Sequence, residues 1–175
     1  MKATKKITFS AIMAALASVI MLCAYFPYLT YALPALAAIA VALPAIECGG
    51  AYGVLTYIVA ALITLFTCEP EAKCLFIVVI GYYPLLKLKI DGIRIMPIRA
   101  LLKFVVFNLS LAVFYFASTR LLGIPANEYG FGFRFGIILM ALLADVTFFI
   151  YDFALTRLIS LYFMRFHDRI SKMLK

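Results

Sequence analysis

Two aspartates, Asp145 and Asp152, are the residues whose type and position most favour chemistry, because they lie inside a long apolar stretch. If that stretch crosses a membrane, an ionised carboxylate near the bilayer centre costs at least about 2.5–3.5 kcal/mol, so each should face a bundle interior and have a partner. Their seven-residue spacing puts them on one helix face, about 10.5 Å apart, which is too far to share a proton. Asp145, the deeper residue, is the candidate ligand or relay group, and Asp152 is expected to be structural. Asn108 and Ser110, in the preceding apolar stretch, are candidate partners.

Two segments between apolar stretches carry side chains suited to holding a small ligand. The first, Cys68–Cys74, contributes two carboxylates and one ammonium group, from Glu69, Glu71 and Lys73. The second combines glycines with polar and aromatic groups: Asn127, Glu128, Tyr129, Gly130, Phe131, Gly132, Phe133 and Arg134. An ordinary polar loop also explains the first segment, and an interfacial aromatic belt explains the second. The sequence leaves open whether Cys68 and Cys74 form a disulfide.

Motifs for other chemistry are absent from the sequence. It has no phosphate-binding glycine loop and no H-E-x-x-H pattern, and a single histidine, His167, does not favour a zinc site or a Ser-His-Asp set. Asp91–Arg94 is superficially similar to lipid phosphotransferase motifs but lacks their repeated acidic residues. The sequence therefore predicts neither an enzyme nor a bound cofactor or metal.

The composition indicates which elements must position these residues. Hydrophobic residues make up 67% of the 175 residues and charged residues 14%, against about 45–50% and about 25% in soluble domains. A water-soluble fold would leave much of that apolar surface exposed, so an integral membrane protein is predicted. This excludes a soluble enzyme, a disordered tail and, despite the net charge of +8, a nucleic-acid-binding domain.

Six apolar stretches predict an all-α, polytopic membrane protein with one domain, residues 1–175, built as a bundle of six transmembrane helices. Helices are expected because lipid offers no hydrogen-bond partners to an open backbone and no alternating strand pattern is present. Pro34 and Pro44 interrupt the second stretch and the fourth is short, so both are expected to be kinked, tilted or shielded. The stretches are Ile7–Pro27, Tyr28–Ile46, Ala51–Thr67, Cys74–Leu86, Ala100–Thr119 and Phe135–Leu161.

The distribution of basic residues predicts the orientation. With the N-terminus in the cytoplasm, all basic residues except Lys73, Arg120 and Arg134 fall on the cytoplasmic side, in line with the positive-inside rule. Both termini are then cytoplasmic, in the cell (plasma) membrane. The first helix is expected to be retained, because bulky residues rather than a small-residue cleavage site follow it. Lys87–Arg99 becomes a basic cytoplasmic link, either a solvated loop or a docking surface.

Small residues recur at helical spacing along the first helix, in two neighbouring stripes. One stripe is Ser10, Ala14 and Ser18, and the other is Ala11 and Ala15. Small side chains let another helix approach closely, so these stripes predict a helix-packing surface. The partner is either another helix of this chain or a separate membrane protein.

The basic N-terminus and the alanine-rich first helix, Lys2–Ser18, resemble those of the substrate-binding (S) components of energy-coupling-factor (ECF) transporters. The resemblance implies a six-helix protein that takes up a vitamin-like or precursor molecule and uses the Ala11 and Ala15 stripe to dock onto a transmembrane coupling subunit with two ATPase subunits. It also implies a small-molecule site near the outer face, under the loops after helices one, three and five. By position these loops supply Tyr28 and Tyr31, Glu69–Lys73, and Asn127–Arg134.

Two other functions fit the same sequence. A membrane scaffold of the MreD cell-shape type has similar size and hydropathy. A stand-alone ion-coupled carrier would depend on Asp145 and Asp152.

Overall fold

The computed structural model describes residues 3–26, 29–120, 136–165 and His167, and every regular element in these parts of the chain is helical. The all-α prediction is therefore confirmed for the described residues. The helices are α1 (Ala3–Leu22), α2 (Ala32–Glu47), α3 (Gly50–Thr67), α4 (Pro70–Leu75), α5 (Tyr83–Ile90), α6 (Met96–Arg120) and α7 (Gly136–Arg165), with a 3₁₀ turn at Cys23–Tyr25 and a π-helical turn at Phe76–Ile80.

Four of these helices are long and apolar enough to cross a membrane. They cover Ala3–Tyr25, Gly50–Thr67, Met96–Arg120 and Ile138–Arg165, and they match the first, third, fifth and sixth predicted stretches. The second stretch forms the shorter helix α2, and the fourth is divided among α4, the π-helical turn and α5. The structure is thus compatible with a membrane protein, and the count of six spans stays a prediction.

The end of α2 and the start of α3 form a tight helical hairpin. Pro44 lies inside α2, and the chain reverses at Gly49, whose φ of 108° is readily adopted only by glycine. Gly53 lets the two helices approach closely, because a Cβ atom there would lie 2.5 Å from Ala45 Cβ and 2.7 Å from Leu85 Cδ2. Eight of the 16 residues of α2 are buried, so this short helix lies in the interior of the bundle.

Two apolar clusters hold the bundle together. The first joins α1, α2 and α3 to the π-helical turn through small residues and one ring; its members include Ala17, Met21, Ala37, Val41, Ala60 and Phe76. The second joins α5, α6 and α7 around the stacked rings of Phe107 and Phe148, whose centroids are 4.1 Å apart. Helix α7 contributes few buried residues and leaves Leu142, Ile150 and Phe153 more than half exposed. Such a helix is stable only where its surroundings are apolar.

The π-helical turn bends the fourth apolar stretch. Gly81 N–H donates to Phe76 O at 2.8 Å, one residue earlier than in an α-helix, and the hydroxyl of Tyr57 donates to the neighbouring carbonyl of Ile77 at 2.6 Å. A Cβ atom at Gly81 would lie 2.6 Å from Phe76 O. The bend therefore needs glycine at this position, and Tyr57 ties it to α3.

The two ends of the bundle differ in charge. Lys6 of α1 lies 5.5 Å from the ring centroid of Tyr52 in α3, and Glu47 at the end of α2 contacts His167 after α7. The start of α1, the end of α2, the start of α3 and the end of α7 therefore lie at the same end of the bundle. We call it the basic end, because many lysines and arginines lie in the segments near it: Lys5, Lys6, Lys87, Lys89, Arg94, Arg99 and Arg165. At the opposite end, Tyr25 and Tyr31 contact the α3–α4 connection.

Candidate functional site

Asp152 lies at the centre of a buried group of polar side chains from three helices. Tyr83 Oη donates a hydrogen bond of 2.6 Å to Asp152 Oδ1, and Lys103 Nζ lies 3.0 Å from Oδ2. Lys87 Nζ pairs with Oδ1 and also donates to the main-chain oxygen of Asp152 at 3.2 Å. One carboxylate on α7 therefore binds both α5 and α6.

Asp91, just after α5, extends this group towards the basic end. Its carboxylate lies 2.7 Å from Lys103 Nζ, 3.5 Å from Lys87 Nζ and 3.9 Å from Arg99 Nε. The Lys87–Asp91 pair has the i, i+4 spacing that brings side chains together on a helix face. We call the whole group the Asp152 cluster; it consists of Tyr83, Lys87, Asp91, Arg99, Lys103 and Asp152.

The inner part of the Asp152 cluster is enclosed, and its lysines pair with the two carboxylates. The side chain of Lys87 is 1% exposed, that of Lys103 10% and that of Asp152 19%. Charges withdrawn from water in this way are tolerated when paired, and removing one partner is costly. Both oxygens of Asp152 already accept from cationic donors, which favours the structural role expected for this residue.

Tyr83, Lys87 and Lys103 are not among the residues that the sequence predicts for a site, since the two lysines enter there only as basic residues that set the orientation. A signal for them was present. Lys103 lies inside the fifth apolar stretch and Lys87 directly follows the fourth. A charge at such a position needs a partner for the same reason as Asp152.

Asp145 has a different environment from Asp152. Its Oδ1 accepts a hydrogen bond of 3.0 Å from Asn108 Nδ2, and both residues are half-buried. Of the two expected partners, Asn108 therefore faces Asp145. Ser110 instead bonds to Tyr82 and to Val106 O.

At the end opposite the basic end lie four of the predicted ligand-binding residues, of which Tyr31 and Glu71 contact each other. Tyr31 Oη donates to Glu71 Oε2 at 3.3 Å, and Thr30 Oγ1 donates to Glu69 Oε2 at 3.4 Å. Lys73 Nζ donates to Leu65 O at 3.3 Å. The connection after α1 thus meets the start of α4, and we call Tyr31, Glu69, Glu71 and Lys73 the polar mouth.

The other predicted members of this site lie outside the described residues. They are Tyr28, Asn127, Glu128, Tyr129 and Arg134. Cys68 and Cys74 are described, and both are buried with free thiols. Burial raises the pKa of the Cys68 thiol, so this thiol is protonated at neutral pH.

The two small-residue stripes of α1 differ in burial. Ser10, Ala14 and Ser18 are buried against the rest of the bundle, and Ser18 Oγ donates to Ala14 O at 2.9 Å. Ala11 and Ala15 are exposed. With Ile7, Ser10 and Ala14 they form the α1 wall of an apolar groove of about 330 Å³, whose opposite wall comes from α3 through Tyr52, Leu55, Thr56, Val59 and Ile63.

A second groove, of about 480 Å³, lies between the α2–α3 hairpin and α5, close to the basic end. It is lined by Ala45, Gly50, Val54, Tyr57, Tyr82, Leu85, Leu86, Leu88 and Lys89. Most of this wall is apolar. It is separate from the polar mouth.

Glu47 ties the far end of α7 to α2. Its side chain is 3% exposed, and its Oε1 accepts a hydrogen bond of 2.6 Å from Tyr162 Oη and lies 2.8 Å from His167 Nδ1. A carboxylate held by two α7-side groups fixes the position of this helix end.

The described residues thus contain a structural charge cluster, a polar mouth and two grooves, and the two grooves are open cavities on the bundle. No family model, no curated protein and no solved structure matches this chain.

Proposed function

We propose that this chain is the membrane-embedded solute-binding subunit of an ECF-type importer. In this proposal it captures a small vitamin-like or precursor molecule at the outer face of the cell membrane. A transmembrane coupling subunit with two ATPase subunits then drives its release inside. The chain itself carries out no chemistry.

The observation that carries this proposal is the exposure of Ala11 and Ala15. The neighbouring stripe of Ser10, Ala14 and Ser18 is buried, and its Ser10 and Ala14 also line the groove between α1 and α3, whereas Ala11 and Ala15 are exposed at the same groove. In a membrane, close approach of small residues is a main source of helix association, because the lipid provides no hydrophobic drive. An exposed alanine pair beside a groove is therefore suited to receive a helix of another subunit.

The polar mouth supports a solute site at the opposite end from the basic residues. Tyr31, just before α2, and Glu71, in α4, are 40 residues apart in sequence and meet there. An aromatic ring beside carboxylates and an ammonium group suits a small, weakly charged molecule. Tyr28, Asn127, Glu128, Tyr129, Arg134 and the deeper pair Asn108 and Asp145 belong to the proposed solute-binding set.

The proposed topology has six membrane passes with both termini in the cytoplasm. The two ends of α2 support this topology. The helix begins near the polar mouth and ends at Glu47 beside His167, so it runs from one end of the bundle to the other. The positive-inside rule then places the basic end in the cytoplasm.

The test is purification of the affinity-tagged chain from its own cells in mild detergent. We expect two ATPase subunits and one further polytopic subunit to co-purify, with ATP hydrolysis in the eluate. Ala11→Leu or Ala15→Leu should abolish this association, because leucine at either position keeps a partner helix at a distance. Mass spectrometry of the eluate would identify a retained small molecule.

A matched control is Ala112→Leu, which adds the same bulk at an exposed position of α6 away from the groove. It should leave the association intact. Absence of any ATPase from the wild-type eluate, or equal loss with Ala112→Leu, would contradict the proposal.

A stand-alone ion-coupled carrier is the second candidate function, and the Asn108–Asp145 pair favours it. Asp145 is a half-buried carboxylate bonded to an amide rather than enclosed by cations. In liposomes holding this chain alone, uptake that Asp145→Asn abolishes would support the carrier, and a lack of uptake would favour the importer subunit.

A further inference from the structure

We propose that the groove between α3 and α5 binds one anionic phospholipid, with an acyl chain along the groove and the phosphate at Lys89. This inference is independent of the proposed importer function. It depends on three properties of the groove: its apolar wall, the hydrogen bonds that its tyrosine hydroxyls already make, and the exposed ammonium group of Lys89.

The wall of the groove suits a hydrocarbon chain. Val54 on α3 and Leu85, Leu86 and Leu88 on α5 line it with branched apolar side chains. The groove is not enclosed, since Val54 in its wall is exposed, and an acyl chain can therefore enter it. Its volume of about 480 Å³ lies within the range of small-molecule pockets.

The hydroxyl groups in this wall are already engaged. Tyr57 Oη donates to Ile77 O at 2.6 Å, and Tyr82 Oη is hydrogen-bonded to Ser110 Oγ. Together with Lys89, these tyrosines are the polar side chains among the described residues that line the groove. A polar solute would therefore find few hydrogen-bond partners along the wall, whereas an acyl chain needs none.

Lys89 provides the charge that selects the headgroup. It is exposed, and it makes no ion pair with any described residue, in contrast to Lys87, which is enclosed in the Asp152 cluster. An unpaired ammonium group at the margin of an apolar groove near the basic end complements a phosphate joined to an acyl chain. Its long aliphatic stem can follow the groove while the ammonium group reaches the headgroup layer.

Native mass spectrometry of the full chain in detergent tests this proposal. Dioleoyl-phosphatidylglycerol and dioleoyl-phosphatidylcholine are titrated separately. We expect one phosphatidylglycerol molecule to bind more tightly than phosphatidylcholine. Lys89→Gln should weaken phosphatidylglycerol binding about fivefold, the effect of one lysine near an anionic membrane surface.

A second variant probes the apolar wall without changing charge. Val54→Phe fills the groove from an exposed position and should reduce the binding of both lipids. Arg157→Gln is the matched charge control, because Arg157 is an exposed cation on α7 outside the groove. It should leave the affinity unchanged.

Four outcomes would overturn the proposal. They are equal affinity for the two lipids, equal weakening by Lys89→Gln and Arg157→Gln, unchanged binding in Val54→Phe, and displacement of the lipid by glycerol phosphate alone. The last would indicate a site for a soluble phosphate rather than for a lipid. Far-UV circular dichroism checks that each variant retains its helical content.

Discussion

Lys87 and Asp152 lie 65 residues apart in the sequence and form an ion pair whose lysine side chain is only 1% exposed. The pair fastens α7 to α5, and Lys103 brings α6 to the same carboxylate. Since α7 has few buried apolar residues, this polar contact contributes a large part of what positions the helix. An enclosed pair of this kind specifies where a helix docks.

The first prediction concerns the loss of one partner from this pair. Lys87→Met should lower the free energy of unfolding by about 3 kcal/mol, because it leaves a buried carboxylate undercompensated. Lys103 still reaches Asp152, so the loss should not reach the upper end of the range for broken buried pairs. Unfolding in a denaturing detergent, followed by circular dichroism, measures it.

Lys89→Met is the matched control, since Lys89 is exposed on the same helix and no phospholipid is added. It should change stability by less than about 0.5 kcal/mol. Combining Lys87→Met with Asp152→Asn should restore part of the loss, because neither charge then remains unpaired. Strict additivity of the two substitutions would show that the pair contributes no coupling.

The Lys87–Asp152 pair also marks where prediction from sequence ends. Hydropathy located the apolar stretches, because the length of a helix and its apolar composition are local properties. The cost of a buried charge correctly indicated that Asp152 needs a partner. Choosing Lys87 and Lys103 requires the packing of three helices, which no local pattern encodes.

The stripes of α1 illustrate the same limit. Spacing places Ser10 and Ala14 next to Ala11 and Ala15 on the helix surface. Only the packing of α2 and α3 decides that the first stripe is buried and the second exposed. Similarly, Asn108 and Ser110 were equal candidates for Asp145, and the rotation of α6 selects Asn108.

The second prediction concerns the close approach of α2 and α3. Gly53→Val should destabilise the protein by about 1–3 kcal/mol, because its Cβ would overlap Ala45 and Leu85 and the hairpin would have to open. Gly50→Ala is the control, since nothing lies within 4 Å of a Cβ there. Thermal unfolding in detergent compares the two. Equal stability of both variants would contradict the tight hairpin.

The third prediction concerns Asp145. Asn108→Leu should lower the free energy of unfolding by about 1–3 kcal/mol, because a half-buried carboxylate loses its hydrogen-bond donor. Asp145→Asn should leave the free energy of unfolding almost unchanged, since it removes the charge and retains a hydrogen-bonding group. In the Asp145→Asn background, Asn108→Leu should cost less than in the wild type. An equal cost in both backgrounds would mean that the two side chains are not coupled.

The fourth prediction fixes the orientation of the bundle. In a chain whose four cysteines are replaced by alanine, a membrane-impermeant maleimide added to intact cells should label Glu71→Cys and not Arg94→Cys. Glu71 belongs to the polar mouth, whereas Arg94 is exposed among the basic residues that the positive-inside rule keeps in the cytoplasm. Permeabilising the cells should make Arg94→Cys reactive, which serves as the control for accessibility. Labelling of Arg94→Cys alone in intact cells would show the opposite orientation. The polar mouth would then face the cytoplasm and could not capture a solute from outside.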